Sequence, residues 1–323
     1  MYVKTVKALD HWVLRAAANS LAREVAETVV PGGPAEQPPE HPEYFADIDD
    51  SAVRLTFDAP DRFRFPSPVA SGSTVNDVVQ GRFYAARSGA DGDRKPPLAI
   101  LLHGWNGEKG YQYQFPPLAW RLTRLGVAVA TIELPYHGRR KPPRGEFRNF
   151  LSGDLSQMMG ATVQAIADIR ALVHWARGEG YRSIGLWGNS LGAWLGGLTA
   201  CAEPLEGLVL ITPVPRIDLA IEQLPFCRHI RETLKGKEIT AERLNLTGRR
   251  PMLPPERILL IESIHDQFAP AETVEALWDS WGRPAIWRAN HGHISVLLSP
   301  RINDRALRWL RKTLKTGPAD AGS

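Results

Sequence analysis

A serine, a carboxylate and a histidine follow one another along the chain, each just after a short apolar run. Ser190 lies in Gly188-Asn189-Ser190-Leu191-Gly192, a G-x-S-x-G pattern with an apolar run before it and a glycine-containing helical stretch after it. Asp266 comes after Ile258–Ser263 and His293 after Ala285–Arg288, which spaces the three groups 76 and 27 residues apart. A serine hydroxyl is a weak nucleophile at neutral pH and needs a base to take its proton. An imidazole can be that base when a carboxylate fixes its tautomer, and the chemistry is then covalent acyl transfer. A nucleophile on a tight strand-to-helix turn also needs small neighbours, which the two glycines provide. The competing reading is a helix N-cap serine flanked by packing glycines. It leaves the strand before the serine and the two later groups unexplained.

His103-Gly104-Trp105 closes another apolar run, Leu98–Leu102. The backbone N–H of Trp105, with that of Leu191 after the serine, is the expected pair of donors to an oxyanion. His103 is expected to shape this turn. Alternatives stay open for two of the roles: Glu262 or Asp218 as the acid, and His291 as the base. A basic loop follows Val127–Ile132 and carries Tyr136, His137, Arg139, Arg140, Lys141, Arg144 and Arg148. His103, Tyr136, His137, Arg139 and Arg140 are the candidates to contact a substrate. The arginines could hold an anionic group or face an anionic lipid surface. A solvated loop is the commoner fate of each arginine taken alone.

Groups so far apart in sequence meet only when a fold brings several strand ends to one edge. The chain has 323 residues, 43% hydrophobic and 23% charged, enough for one large domain with a buried core. Two segments, Val53–Phe57 and Asp77–Ala85, predict antiparallel edge strands. Leu98–Leu102, Val127–Ile132, Ser183–Trp187, Gly207–Thr212, Ile258–Ser263 and Ala285–Arg288 predict further strands, alternating with helical patterns. Repeated βα units give a parallel sheet covered on both faces, with sites in the loops at the carboxyl ends of its strands. Residues 51–315 form this domain, interrupted at about 213–255 by a mixed helical insert where a lid would lie. Before it stand a helix over residues 1–30 and a proline-rich linker over 31–50; residues 316–323 read as a disordered tail. The N-terminal helix carries an apolar stripe at Val6, Leu9, Val13, Ala17, Leu21 and Val25. Packing against the body is the favoured reading of that stripe, ahead of a membrane-surface or dimer contact.

Together these pieces resemble the α/β-hydrolase superfamily over Leu98 to about Leu314. The resemblance implies an α/β-hydrolase fold, here a mostly parallel eight-stranded sheet with helices on both faces and a short cap. It carries Ser190 over as nucleophile, Asp266 as acid and His293 as base. Gly292-His293 matches the family pattern better than His291 does. Three segments, Pro135–Pro142, His174–Tyr181 and Gly292–Ser295, are similar to the branch typified by the α/β-hydrolase domain-containing protein eighteen. The implied activity is hydrolysis of a carboxylic ester, esterase- or lipase-like, on a small-molecule or lipid substrate without a cofactor. An acyltransferase using the same triad and a non-catalytic binding protein are the alternatives.

Other classes are set aside on composition. Two cysteines with no C-x-x-C cannot frame a disulfide scaffold. A net charge of +4 does not call for a nucleic-acid partner, and no P-loop, G-x-G-x-x-G or H-E-x-x-H pattern calls for a nucleotide or metal. The N-terminus lacks the apolar run of a secretory signal. Ser183–Ala202 is uncharged but holds five glycines, a weak match to a membrane span. A cytoplasmic chain is the expectation.

Overall fold

The computed structural model describes residues 2–28, 53–87, 95–143, 149–152, 155–224, 227–234 and 244–316. The expected linker, Arg144, Arg148 and the chain after residue 316 lie outside these. The described strands are β1 (Thr56–Ala59), β2 (Arg62–Pro66), β3 (Val78–Tyr84), β4 (Leu98–Leu102), β5 (Ala128–Ile132), β6 (Ile184–Asn189), β7 (Gly207–Ile211), β8 (Ile258–Ser263) and β9 (Ala285–Ala289). They form one sheet in the order β1-β2-β3-β5-β4-β6-β7-β8-β9. Pairing is antiparallel from β1 through β3 to β5 and parallel from β5 onward. This is the α/β-hydrolase architecture with nine strands instead of the expected eight. The strand missing from the expectation is β2, Arg-Phe-Arg-Phe-Pro. Its Phe63 and Phe65 are buried while the alternate residues face out. Such a short half-buried edge strand offers only a period-two pattern, and its proline is tolerated at a strand end.

The central strands are apolar without interruption because helices cover both of their faces. In β4, Leu98, Ile100 and Leu102 point into one core and Ala99 and Leu101 into the other. The first core lies under helices α3 (Leu155–Gly178) and α4 (Leu191–Ala200). The second lies under α2 (Phe115–Arg124) and α9 (Pro300–Lys315), whose Ala306, Leu307, Leu310 and Leu314 are buried. Each fully buried aliphatic side chain adds about 1.5–3 kcal/mol. The strand ends are therefore held on a rigid platform.

Two further pieces lie at the carboxyl edge, and a third piece, a helix, joins β8 to β9. In the 213–255 insert, α5 (Ile217–Gln223) and α6 (Arg228–Leu234) pack with Ile221, Leu224, Cys227 and Ile230 inward. Helix α1 (Tyr2–Thr28) lies against α6 and against α8 (His293–Leu297), burying Val6, Asp10 and Leu14. Helix α7 (Ala271–Ser280) bridges β8 and β9. No helix among the described residues is long and apolar enough to cross a membrane.

Candidate active site

The turn after β6 forces Ser190 into φ 53° and ψ −113°, a conformation non-glycine residues rarely hold. Its backbone N–H is fastened to the Ile211 carbonyl at 2.9 Å, tying the turn to β7. The flanking glycines are needed for space. A Cβ on Gly188 would lie 2.2 Å from the Gly192 carbonyl oxygen, and one on Gly192 would lie 2.3 Å from that of Leu102. The first absence lets the turn close on itself, and the second lets it sit against the end of β4. The Ser190 hydroxyl then stands at the N-terminus of α4, where Leu191 N–H has no intrahelical acceptor.

Asp266 and His293 reach the same point from the ends of β8 and β9. His293 Nε2 is 2.8 Å from Ser190 Oγ, and its Nδ1 is 2.8 Å and 3.0 Å from the two carboxylate oxygens of Asp266. Asp266 Oδ1 also accepts the backbone N–H groups of Phe268 and Ala269, at 2.7 and 2.9 Å. An oxygen that accepts this many donors belongs to an ionised carboxylate. Nδ1–H of His293 can donate to this carboxylate, and in a neutral ring Nε2 then accepts from the serine hydroxyl. The Phe268 ring stacks on the imidazole at 4.4 Å between centroids and limits its rotation. The other candidates for these roles point elsewhere. His291 Nδ1 lies 3.2 Å from Ser295 Oγ, and Asp218 is held by Arg216. Glu262, four residues before Asp266, faces Arg288 and Glu275; burial pushes its carboxyl up to about 7.

The turn after β4 completes the arrangement. A Cβ built on Gly104 lies 3.4 Å from Ser190 Cβ, so the His103–Gly107 loop runs beside the serine. Two buried histidines brace it. His103 Nδ1–H donates to Gly104 O at 2.7 Å, and its Nε2 accepts Leu134 N–H at 3.0 Å. His137 Nδ1–H donates to Pro135 O at 2.8 Å, and its Nε2 accepts Asn106 N–H at 3.3 Å. Each ring uses one nitrogen as donor and the other as acceptor, which only the neutral form can do. Burial pushes His103 down to about 3 and His137 down to about 4. Both stay neutral while folded but protonate near 6.5 once unfolded, so the unfolded chain binds more protons between those values. Stability conferred by these neutral rings is expected to be intact above pH 6.5 and to fall as pH drops toward 4. In urea titrations from pH 7 to 4, His137→Gln should flatten the slope by up to about 1.4 kcal/mol per pH unit. An unchanged slope would count against a neutral His137.

The cavity in front of Ser190 measures about 690 Å³. Trp194, Met158, Ile221, Leu224 and Phe268 supply apolar wall, and His103 and Asn189 also reach it. Trp12, Val13 and Ala16 of α1 form another part of the wall. Four of the five expected substrate contacts do not line it, and each of the four is bonded within the protein. Arg140 is fully buried: its Nη1 bonds Asp168 Oδ2 at 2.8 Å and Glu133 O at 3.0 Å, and its Nε bonds Asn76 O at 2.9 Å. Arg139 Nε pairs with Glu133 at 3.1 Å. His137 braces the His103–Gly107 loop as described. Tyr136 is buried at a positive φ of 62°, its N–H bonded to Asn76 Oδ1 at 2.8 Å. The loop is thus a strut between β5, α3 and the β2–β3 connection. The Arg140 charge looked available because its buried partner Asp168 lies 28 residues off in sequence. Among the described residues no group of three or more His, Cys, Asp or Glu could hold a metal ion.

Residues 99–321 match the Alpha/beta hydrolase family. The chain belongs to that family. Among curated relatives, the uncharacterized protein Rv2627c of Mycobacterium tuberculosis (strain ATCC 25618 / H37Rv) is 34% identical over 193 residues, which is 56% of this chain. That match spans 46% of the relative, so the chain covers about half of its length. The uncharacterized protein YdjC of Bacillus subtilis is 30% identical over 95 residues, 27% of this chain and 82% of YdjC. Among solved structures, an acetyl xylan esterase from Paenibacillus sp. R4 superposes with a TM-score of 0.57 at 17% identity, covering 81% of this chain and 88% of its own. XC6422 from Xanthomonas campestris, an α/β serine hydrolase without lid, gives 0.52 at 18% identity, covering 82% and 99%. These structures share the family fold with this chain. The comparisons reach the superfamily and do not extend to the finer branch that the three segments resemble.

Proposed function

We propose that this hydrolase cleaves carboxylic esters with an apolar acyl group, using Ser190 as nucleophile, His293 as base and Asp266 as its orienting acid. The observation that carries the reading is the unbroken line of hydrogen bonds from Asp266 through His293 to Ser190, ending at the apolar cavity. Ser190 Oγ attacks the ester carbonyl while His293 Nε2 takes its proton. The carbonyl oxygen becomes an oxyanion, received by the N–H groups of Leu191 and Trp105. Collapse of this intermediate breaks the ester C–O bond, and His293 returns the proton to the departing alcohol. Water, deprotonated by the same imidazole, then releases the acid and restores Ser190.

A cavity walled by Trp194, Ile221, Leu224 and Phe268 favours an acyl chain over a polar or charged acid. The test is a series of p-nitrophenyl esters of increasing acyl length. kcat/KM is expected to rise up to about fourfold per methylene, the worth of roughly 0.8 kcal/mol of burial, until the cavity is full. Equal rates from acetate to octanoate would argue against an acyl pocket.

A further inference from the structure

Val6, Asp10 and Leu14 stand four residues apart on one side of α1, and all three are buried. A carboxylate in such an apolar stripe is costly without partners. Asp10 has them: its Oδ2 accepts the backbone N–H of His293 at 2.7 Å, and its Oδ1 that of Ile294 at 3.1 Å. Those N–H groups open α8, and a helix start leaves such donors without intrahelical acceptors. A Ser, Thr, Asn or Asp just before the helix would ordinarily accept them, but Gly292 stands there and has no side chain. A Cβ at Gly292 would lie 2.6 Å from Asp10 Oδ2, so the glycine leaves room for a carboxylate supplied from 283 residues away. The same helix contributes Trp12, Val13 and Ala16 to the cavity wall.

We infer that Asp10 is a positioning residue for His293. It caps α8 in place of Gly292 and fixes the backbone from which the imidazole reaches Ser190. Docking of α1 therefore closes one wall of the acyl cavity and sets the base in the same step. The inference rests on the reading of His293 as the base.

The test uses the full chain, a short-chain p-nitrophenyl ester, and the rate at which a fluorophosphonate labels Ser190. Asp10→Ala is expected to lower kcat and the labelling rate together by about 10- to 100-fold, with KM within about threefold of wild type. Asp10→Asn keeps the shape and one acceptor oxygen, and should lose less than Asp10→Ala but remain measurably below wild type. A role confined to fastening α1 would lower Tm and leave kcat unchanged below the melting transition. That result in folded Asp10→Ala overturns the inference. Should Asp10→Ala not fold, wild-type kcat and labelling in Asp10→Asn overturn it equally. Failure of the wild-type chain to label at Ser190 would instead remove the serine-hydrolase reading itself.

Discussion

Ser190→Ala is expected to abolish fluorophosphonate labelling and to reduce ester turnover by about 10⁴-fold or more, with melting behaviour close to wild type. The size follows from how the three groups act together. Removing the nucleophile leaves the oxyanion donors and the cavity in place, yet no group can form the acyl-enzyme; losses of this kind run to about 10⁶-fold in serine proteases. Stability should survive because the hydroxyl's bond, at 2.8 Å to His293 Nε2, is a single contact at the cavity floor. The backbone bond of Ser190 to Ile211 and the glycine contacts are untouched by the change. Relief of strain is not expected either, since alanine at φ 53° faces the same backbone cost. Rates on the ester series and a thermal melt measure both halves. Full turnover in a folded Ser190→Ala would end the triad mechanism.

The second large effect lies away from the cavity. Arg140→Met is expected to destabilise the fold by about 3–5 kcal/mol, because it leaves the Asp168 carboxylate buried and without its cation. Among the described residues, Asp168 would keep the Ser67 hydroxyl, at 2.6 Å, as a side-chain partner. Burial already pushes the Asp168 carboxyl above its ordinary value, with Arg140 pulling it back. Without the arginine, the folded state should hold the proton to higher pH than the unfolded chain does. The deficit of Arg140→Met is therefore greatest near neutrality and shrinks as pH falls toward the ordinary carboxylate range. Arg140→Met combined with Asp168→Leu should recover most of the loss. Urea titrations at two pH values decide the matter. A loss of KM-type affinity with unchanged stability would return Arg140 to the substrate.

These two residues mark how far the sequence could be read. Ser190, Asp266 and His293 were legible because each carries a local signature: an apolar run, a tight turn, then a polar residue. A parallel sheet places every such strand end on one edge, so the order along the chain translates into proximity without further information. The central strands were legible for the same reason, since burial on both faces demands an unbroken apolar run. Strand β2 was not, because five half-buried residues ending in proline resemble a loop.

Arg140 and Asp10 show what only the tertiary structure decided. A run of basic residues looks the same in sequence whether its partners are water, a substrate or a carboxylate on a distant helix. Asp168 became the partner of Arg140 because α3 brings it against the end of β5 across 28 residues. Asp10 carried a faint signal, a charge between Val6 and Leu14 on the apolar side of a helix, but its donors lie at the other end of the chain. The sequence by itself determined which groups could do chemistry and the sheet that aligns them. Burial, through the partners it forces on each charge, decided which basic residues brace the fold and which acid accepts the backbone N–H of His293.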